Sequence, residues 1–231
     1  MELQQLANRL NVTSQENETQ NKKGTLAVAM SDIISIIVKG GLVMIPLVLC
    51  SIISLAVTIE RLLYWRRISS KQPVERMLAS VEQGKLKEAL SDGQESPLPA
   101  ARVLAAGLAH RNPSYSKAME VAAQGEMPIL KRRLVVLDTI ITLAPLLGLL
   151  GTITGMISSF GIMSDAGLGQ PHAVTGGVAE ALIATATGLL IAILTLIPYN
   201  YFTTRAEKEM EDIEYYASRM ELALLAQQEA R

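Results

Sequence analysis

Glu180 is the residue whose chemistry stands out first. It is the one charge between residues 173 and 202, and a charged side chain in the middle of so apolar a run costs about 2.5–3.5 kcal/mol on insertion scales. A helix entered near Pro171 carries it about nine residues, roughly 13 Å, into the run. At that depth local water decides whether a carboxyl holds its proton, which is the chemistry of a proton relay. Two other readings stay open: a protonated carboxyl that hydrogen-bonds a neighbouring helix, and a cation site. The preceding apolar run offers a matching surface. At 100° per residue, Pro145, Gly148, Thr152, Gly155 and Ser159 fall within about 80° of one another. Such a stripe either admits another helix closely, as the Gly151 and Gly155 spacing favours, or faces water. On the later run Gly176, Glu180, Ala184 and Thr187 share a face, so the carboxylate looks out over small residues. Two small, polar stripes, one bearing a carboxylate, predict a wet interface rather than a lipid-facing one.

Little else in the chain points to chemistry. His110 and His172 stand alone, Cys50 is a single cysteine, and no histidine, cysteine or carboxylate spacing makes a metal site. Asp138 beside Arg132 and Arg133 reads as a helix-end charge. There is no Walker loop, nucleophile elbow or HExxH pattern, so the sequence predicts no enzyme and no cofactor. Tyr64, Trp65, Tyr199 and Tyr201 sit at ends of apolar runs, where interfacial anchors belong.

The elements that hold these residues follow from where the apolar residues lie. Of 231 residues, 49% are hydrophobic and 19% charged, and 21 Lys and Arg balance 22 Asp and Glu for a net charge of -1. That composition excludes a disordered chain or a general nucleic-acid binder. Runs at 40–59, 139–163 and 173–202 each reach the roughly 20 residues that a bilayer core of about 30 Å demands. The expected fold is all-α: an integral membrane protein with three transmembrane helices, two of them extended into a cytoplasmic helical region. It divides into a polar N-terminal segment at 1–32, a first membrane helix region at 33–66, a helical loop at 67–133, a second membrane helix at 134–163, a short hairpin at 164–172, a third at 173–203, and a C-terminal helix at 204–231. Residues 1–30 lack the basic start and apolar run of a cleavable signal peptide.

Basic residues set the expected orientation. Arg61, Arg66, Arg67 and Lys71 follow the first run, Lys131, Arg132 and Arg133 precede the second, and Arg205 and Lys208 follow the third. The loop and the C-terminus are therefore expected in the cytoplasm, and the N-terminus outside. Within the loop, Pro73 suits a first helical turn, Gly84 ends that piece, and a small-residue helix covers 100–109. A further helix starts near Ser114 and is expected to continue through Pro128 into the second run. In the tail, Met210, Ile213, Tyr216, Met220 and Leu224 recur at steps of three and four, making one apolar stripe in search of a partner.

Three stretches carry a resemblance. They are Lys39-Gly40-Gly41 with Met44-Ile45-Pro46-Leu47 and Glu60-Arg61-Leu62, then Ala144-Pro145-Leu146-Leu147-Gly148-Leu149-Leu150-Gly151-Thr152, then the run from Ala179 to Leu189 that ends at Tyr199-Asn200. Across about residues 33–202 the sequence resembles the ExbB/TolQ/MotA proton-channel subunits, and three runs with a large first loop look most like ExbB. The resemblance implies a homopentamer in the bacterial inner membrane, multi-pass, with its N-terminus periplasmic. Its second and third helices would enclose an ExbD/TolR-like partner bearing a membrane aspartate, and the assembly would drive a TonB-like protein for outer-membrane uptake by protonmotive force. On the matching positions Glu180, Thr152 and Thr185 would line the pore. The wheel places Thr185 about 140° from Glu180 and favours Thr187 instead. Gly148, Gly151, Gly155 and Pro145 would pack helices. A TolQ-like subunit for envelope integrity, a secondary transporter at Glu180 and a pure scaffold are the rival readings. No metal, no cofactor and no nucleic acid is implied; membrane lipid is.

Overall fold

A computed structural model of the chain describes residues 40–68, 70–110, 114–166 and 171–229. The polar segment at 1–32, Lys39, and the centre of the short connection at 167–170 lie outside these residues. All regular structure among the described residues is α-helix: α1 (Met44–Arg67), α2 (Gln72–Glu82), α3 (Leu86–Glu95), α4 (Pro99–Ala109), α5 (Tyr115–Leu130), α6 (Leu134–Ala166) and α7 (Pro171–Glu229). α1, α6 and α7 each contain a stretch long and apolar enough to cross a membrane.

Local chemistry explains the ends of these helices. Arg66 and Arg67 close α1, where cations complement the helix dipole. α2 starts with Pro73 in its first turn and ends at Gly84, whose φ of 77° lets Gly84 N–H reach Val81 O and Lys85 N–H reach Ser80 O, both at 2.9 Å. That pair of bonds is the Schellman closure a glycine permits. Ser114 caps α5 by accepting the Lys117 N–H at 3.3 Å. α5 does not continue into α6: a turn at 131–133 intervenes, and Arg133 takes a left-handed φ of 64°. Pro128 falls inside the last turn of α5 and the chain turns three residues beyond it. α7 passes through Pro198 without ending, so the third apolar run and the amphipathic tail are one helix of 59 residues.

The described residues fall into two compact units. One comprises residues 40–49 with Ala144–Leu190, the other Cys50–Leu143 with Ile191–Arg231. The second has a core of large side chains, with Met77, Val81, Leu104, Leu130, Leu137, Phe202 and Met220 fully buried. α4 is its centre, buried along most of its length. The tail stripe finds its partner here: Ile213, Tyr216, Met220 and Leu224 are buried in the same cluster, and Met210 packs against it. Polar ties reinforce the contact between α2 and α7. Arg219 holds Glu75 at 3.0 Å, Lys71 pairs with Asp212, and Gln227 donates to the Val81 carbonyl. In the first unit fewer large side chains are fully buried, Met44 and Leu47 among them, beside small residues such as Ala144 and Ala184.

Candidate functional site

In the first unit α6 and α7 meet along two rows of small residues. Ala144, Gly148, Gly151, Gly155 and Ser159 are buried on α6, and Ala181, Ala184 and Gly188 on α7. The backbones approach so closely that side chains have no room. A Cβ on Gly151 would stand 2.5 Å from the Ala184 Cβ, and one on Gly188 2.5 Å from the Ala144 carbonyl oxygen and 3.1 Å from the Gly148 Cα. At Gly155 a Cβ would lie 3.0 Å from both the Gly177 carbonyl oxygen and the Ala181 Cβ. Ser159 donates its hydroxyl to the Gly155 carbonyl at 2.9 Å and occupies the space a Gly177 side chain would need. This is a dry, backbone-to-backbone seam of the small-xxx-small kind. Of the two uses the sequence left open for the stripe, close approach is what Gly148, Gly151 and Gly155 do within one chain.

The polar residues flank the seam, and they fall into two pairs. On α7 the seam is centred on Gly177, Ala181, Ala184 and Gly188. At 100° per residue Glu180 and Thr187 lie about 70° and 90° to one side of that centre, and Thr185 about 70° to the other. On α6, Thr152 lies about 60° from the seam centre. Because α6 and α7 run antiparallel, that rotation brings it to the same side as Thr185. Contacts fix the two sides independently. Val43, just ahead of α1, comes within 3.7 Å of a Gly151 Cβ, and the Glu180 carboxyl lies on the backbone of Gly41. The entry to α1 therefore covers the Glu180 flank and leaves Thr152 and Thr185 on the other, both half-buried. Pro145 lies on the Thr152 side, also half-buried, and its missing N–H leaves the Ile141 carbonyl without a helical donor.

The hydroxyls differ in what they hold. Thr185 Oγ1 donates across the seam to the Gly148 carbonyl at 2.9 Å, the oxygen that the Thr152 N–H also meets in the α6 ladder. Thr152 Oγ1 donates back to Leu149 O at 2.6 Å, and Thr187 Oγ1 back to Ile183 O at 2.8 Å. Thr185 therefore ties the two helices, while Thr187 bonds within its own. Within one chain the two stripes do not face each other as a single polar surface: Glu180 turns toward Gly41, and Gly148, Gly155 and Ser159 of the α6 stripe lie in the dry seam, with Pro145 and Thr152 on its flank.

The second unit adds residues that periodicity did not single out. Ser54 and Thr195 share a buried hydrogen bond of 2.8 Å between α1 and α7, and the Thr195 hydroxyl donates to Ile191 O at 2.7 Å. Arg61, read from sequence as a charge trailing the first run, is 3% exposed. Its guanidinium stacks 5.0 Å over the Tyr64 ring and lies 3.6 Å from Glu60, which also pairs with Arg133. The signal for its burial was its spacing: Val57, Arg61, Trp65 and Ile68 lie on one helical face and all four are buried. Asp138 is exposed, and His110 rests its ring nitrogen 3.2 Å from Ala106 O. Among the described residues no group of histidine, cysteine or carboxylate side chains is arranged to hold a metal.

Beyond the apolar runs, charge is handled by pairing and burial. Arg102 grips Glu126 with two bonds, Nε to Oε1 at 2.8 Å and Nη2 to Oε2 at 2.6 Å, and this bond to the carboxylate raises the guanidinium's pKa. Burial pushes the Glu209 carboxyl above its ordinary value, with Lys71 pulling the other way. Tyr216 is pushed up to about 12 by burial and by Glu75.

Residues 95–215 match the model of the MotA/TolQ/ExbB proton channel family. An ExbB-like biopolymer transport protein of Synechocystis is 36% identical over 193 residues, covering 79% of this chain and 90% of that protein. An ExbB homologue of Methanothermobacter thermautotrophicus is 33% identical over 184 residues, 76% of this chain and 64% of the relative. The Tol-Pal system protein TolQ of Haemophilus influenzae is 30% identical over 187 residues, 74% and 82% of the two chains.

Proposed function

The chain belongs to the MotA/TolQ/ExbB proton channel family, and from that premise we propose that it is the ring-forming subunit of an inner-membrane motor that passes protons down the protonmotive force. This family is one of proton channels and not of enzymes. Five copies would surround the membrane helices of a small ExbD/TolR-like partner, whose aspartate takes up and releases the proton. The N-terminus would be periplasmic, and the loop and C-terminus cytoplasmic. The output would be work on a TonB-like protein during outer-membrane uptake. Each unit charge that crosses is worth about 2.3 kcal/mol per 100 mV, so a cycle of a few protons supplies enough energy to move a partner helix.

The observation that carries this reading is the flank holding Thr152 and Thr185. Both hydroxyls lie beside a seam too tight to move, half-buried in one chain and turned away from α1. A rigid wall with hydroxyls along one edge is what a passing protonated carboxyl needs: oxygens whose own protons are held by Leu149 O and Gly148 O, whose lone pairs accept, and which keep their places while it moves. Glu180, on the opposite flank, would tune the field or exchange protons with water entering from outside.

The test is proton flux in vesicles containing the full-length chain with its co-purified partners, compared with Thr152→Val, Thr185→Val and Glu180→Gln. The proposal expects flux to fall with the assembly's mass unchanged by native mass spectrometry. A chain that acts only as scaffold would keep its flux in all three variants. The similarity to TolQ favours a second output for the same motor, envelope integrity through a TolA-like protein. Detergent sensitivity of a deletion strain, as against loss of TonB-dependent outer-membrane uptake, separates the two.

A further inference from the structure

The turn ahead of α1 does something that neither its length nor its composition explains. Gly41 takes a φ of 73°, and its missing side chain is the space where the Glu180 carboxyl rests. A Cβ at position 41 would collide with Glu180 Oε1, and would lie 2.9 Å from its Cδ and 3.3 Å from its Cγ. The end of the Glu180 side chain, Oε1 foremost, therefore fills the place where this residue's Cβ would stand. Next to it, a Cβ on Gly40 would meet the Met44 side chain at 2.5 Å and Ile183 at 3.3 Å, so the turn is pressed onto α7 at two successive residues. Gly84 provides the contrast: it has nearly the same φ, 77°, and a Cβ there would meet nothing within 4 Å. Gly84 is a glycine because of its backbone angle alone. Gly41 is a glycine for its angle and also because another residue's carboxyl fills its place.

We propose that Gly41 is the positioning residue for Glu180, seating the carboxylate on the turn before α1. The seat makes the first apolar run a participant in the chemistry of the third. It also fixes the length of the side chain that fits: one methylene fewer would leave room for a methyl group at position 41, which the native glutamate does not. The functional half of this inference rests on Glu180 acting in the proton path, as proposed above; the seat itself does not.

Two readouts keep those halves apart. The first is labelling of Glu180 by a hydrophobic carbodiimide in the full-length assembly in membranes, read by mass spectrometry of the peptide. Gly41→Ala should raise labelling of Glu180 severalfold by unseating it, while Gly84→Ala, which imposes the same backbone strain without a collision, should leave it unchanged. Labelling that responds equally to the two substitutions, or to neither, overturns the seat. The second is proton flux across pH. Gly41→Ala should cost about tenfold or more, since a small displacement of a placed group is expensive. Glu180→Asp in the Gly41→Ala background should recover much of that loss and return the pH profile toward the native one. Failure of the aspartate to recover flux overturns the positioning role. If labelling behaves as expected and Glu180→Gln leaves flux untouched, the seat stands and the proton-path reading of Glu180 falls.

Discussion

The two units hold themselves together by opposite means. The seam between α6 and α7 has almost no side chains in it: Gly148, Gly151, Gly155 and Gly188 bring main chain against main chain and against alanine methyls. The core around α4 is built instead from Met77, Leu104, Leu130, Phe202 and Met220, side chains with several rotatable bonds. In hydrocarbon there is no gain from removing apolar groups from water, so close van der Waals approach has to do the work. In an aqueous region, burial of large side chains supplies about 25 cal/mol per Å². The seam can neither expand nor shrink by rotamer changes, whereas the α4 core has methionines to absorb them. A surface that has to present hydroxyls at constant spacing belongs on the first kind of packing.

Substitution should break the seam more completely than the core. Gly188→Leu puts a side chain where the Ala144 carbonyl and the Gly148 backbone stand, so folded, extractable protein should be lost outright. Recovery of a normally sized assembly by size-exclusion chromatography would refute the rigidity of the seam. Leu104→Ala, at the centre of α4, should cost about 2–5 kcal/mol and lower the thermal midpoint without changing assembly size. Leu182→Ala, on the exposed side of α7, should do neither. Glu126→Gln should cost about 1–2 kcal/mol, because it removes the charge from a two-bond pair whose carboxylate is buried and whose guanidinium is only partly so. Thermal unfolding in detergent reads that loss.

The smallest expected effect sharpens the comparison through pH. The Glu209 carboxyl is raised by burial, so the folded state holds its proton more tightly than the unfolded chain. Its contribution to stability is present below the ordinary carboxylate value and is lost as pH rises through the folded one. Glu209→Gln should therefore stabilise the protein at neutral pH and flatten the stability profile between the ordinary carboxylate value and the raised one. An unchanged profile would mean that Lys71 offsets the burial in full.

Much of this fold was legible because membranes make simple demands. Three apolar runs of sufficient length give three helices, and the steps of three and four from Met210 to Leu224 mark a stripe that the structure buries. Gly84 announced its own turn. What stayed hidden depended on a second element. The direction of Glu180 could not be read from its wheel, because the wheel gives angles about an axis and not which neighbour lies there. Gly41, some 140 residues earlier, decides it. Thr185 is set 140° from Glu180 by the same arithmetic, and its place beside Thr152 emerges only once the seam fixes where both helices face. Arg61 followed a charge-free run and looked like a trailing cation, yet its spacing from Val57 and Trp65 puts it on the buried face. The break after α5 was not legible: the helix from Ser114 is expected to run on through Pro128, and it does pass that proline, but the chain turns at 131–133.

That break has a consequence for anyone who wishes to take the molecule apart. Left-handed turns are usually made by glycine, which can be exchanged for little else but carries no message of its own. Here the turn is made by Arg133, whose guanidinium is also the partner of Glu60. Bend and charge are thus written in one residue. Arg133→Gly would relax the bend and erase the charge together, whereas Arg133→Lys would keep both, so the strain cannot be relieved without giving up the charge. A reporter or a cleavage site inserted between α5 and α6 would have to replace both functions of that arginine at once.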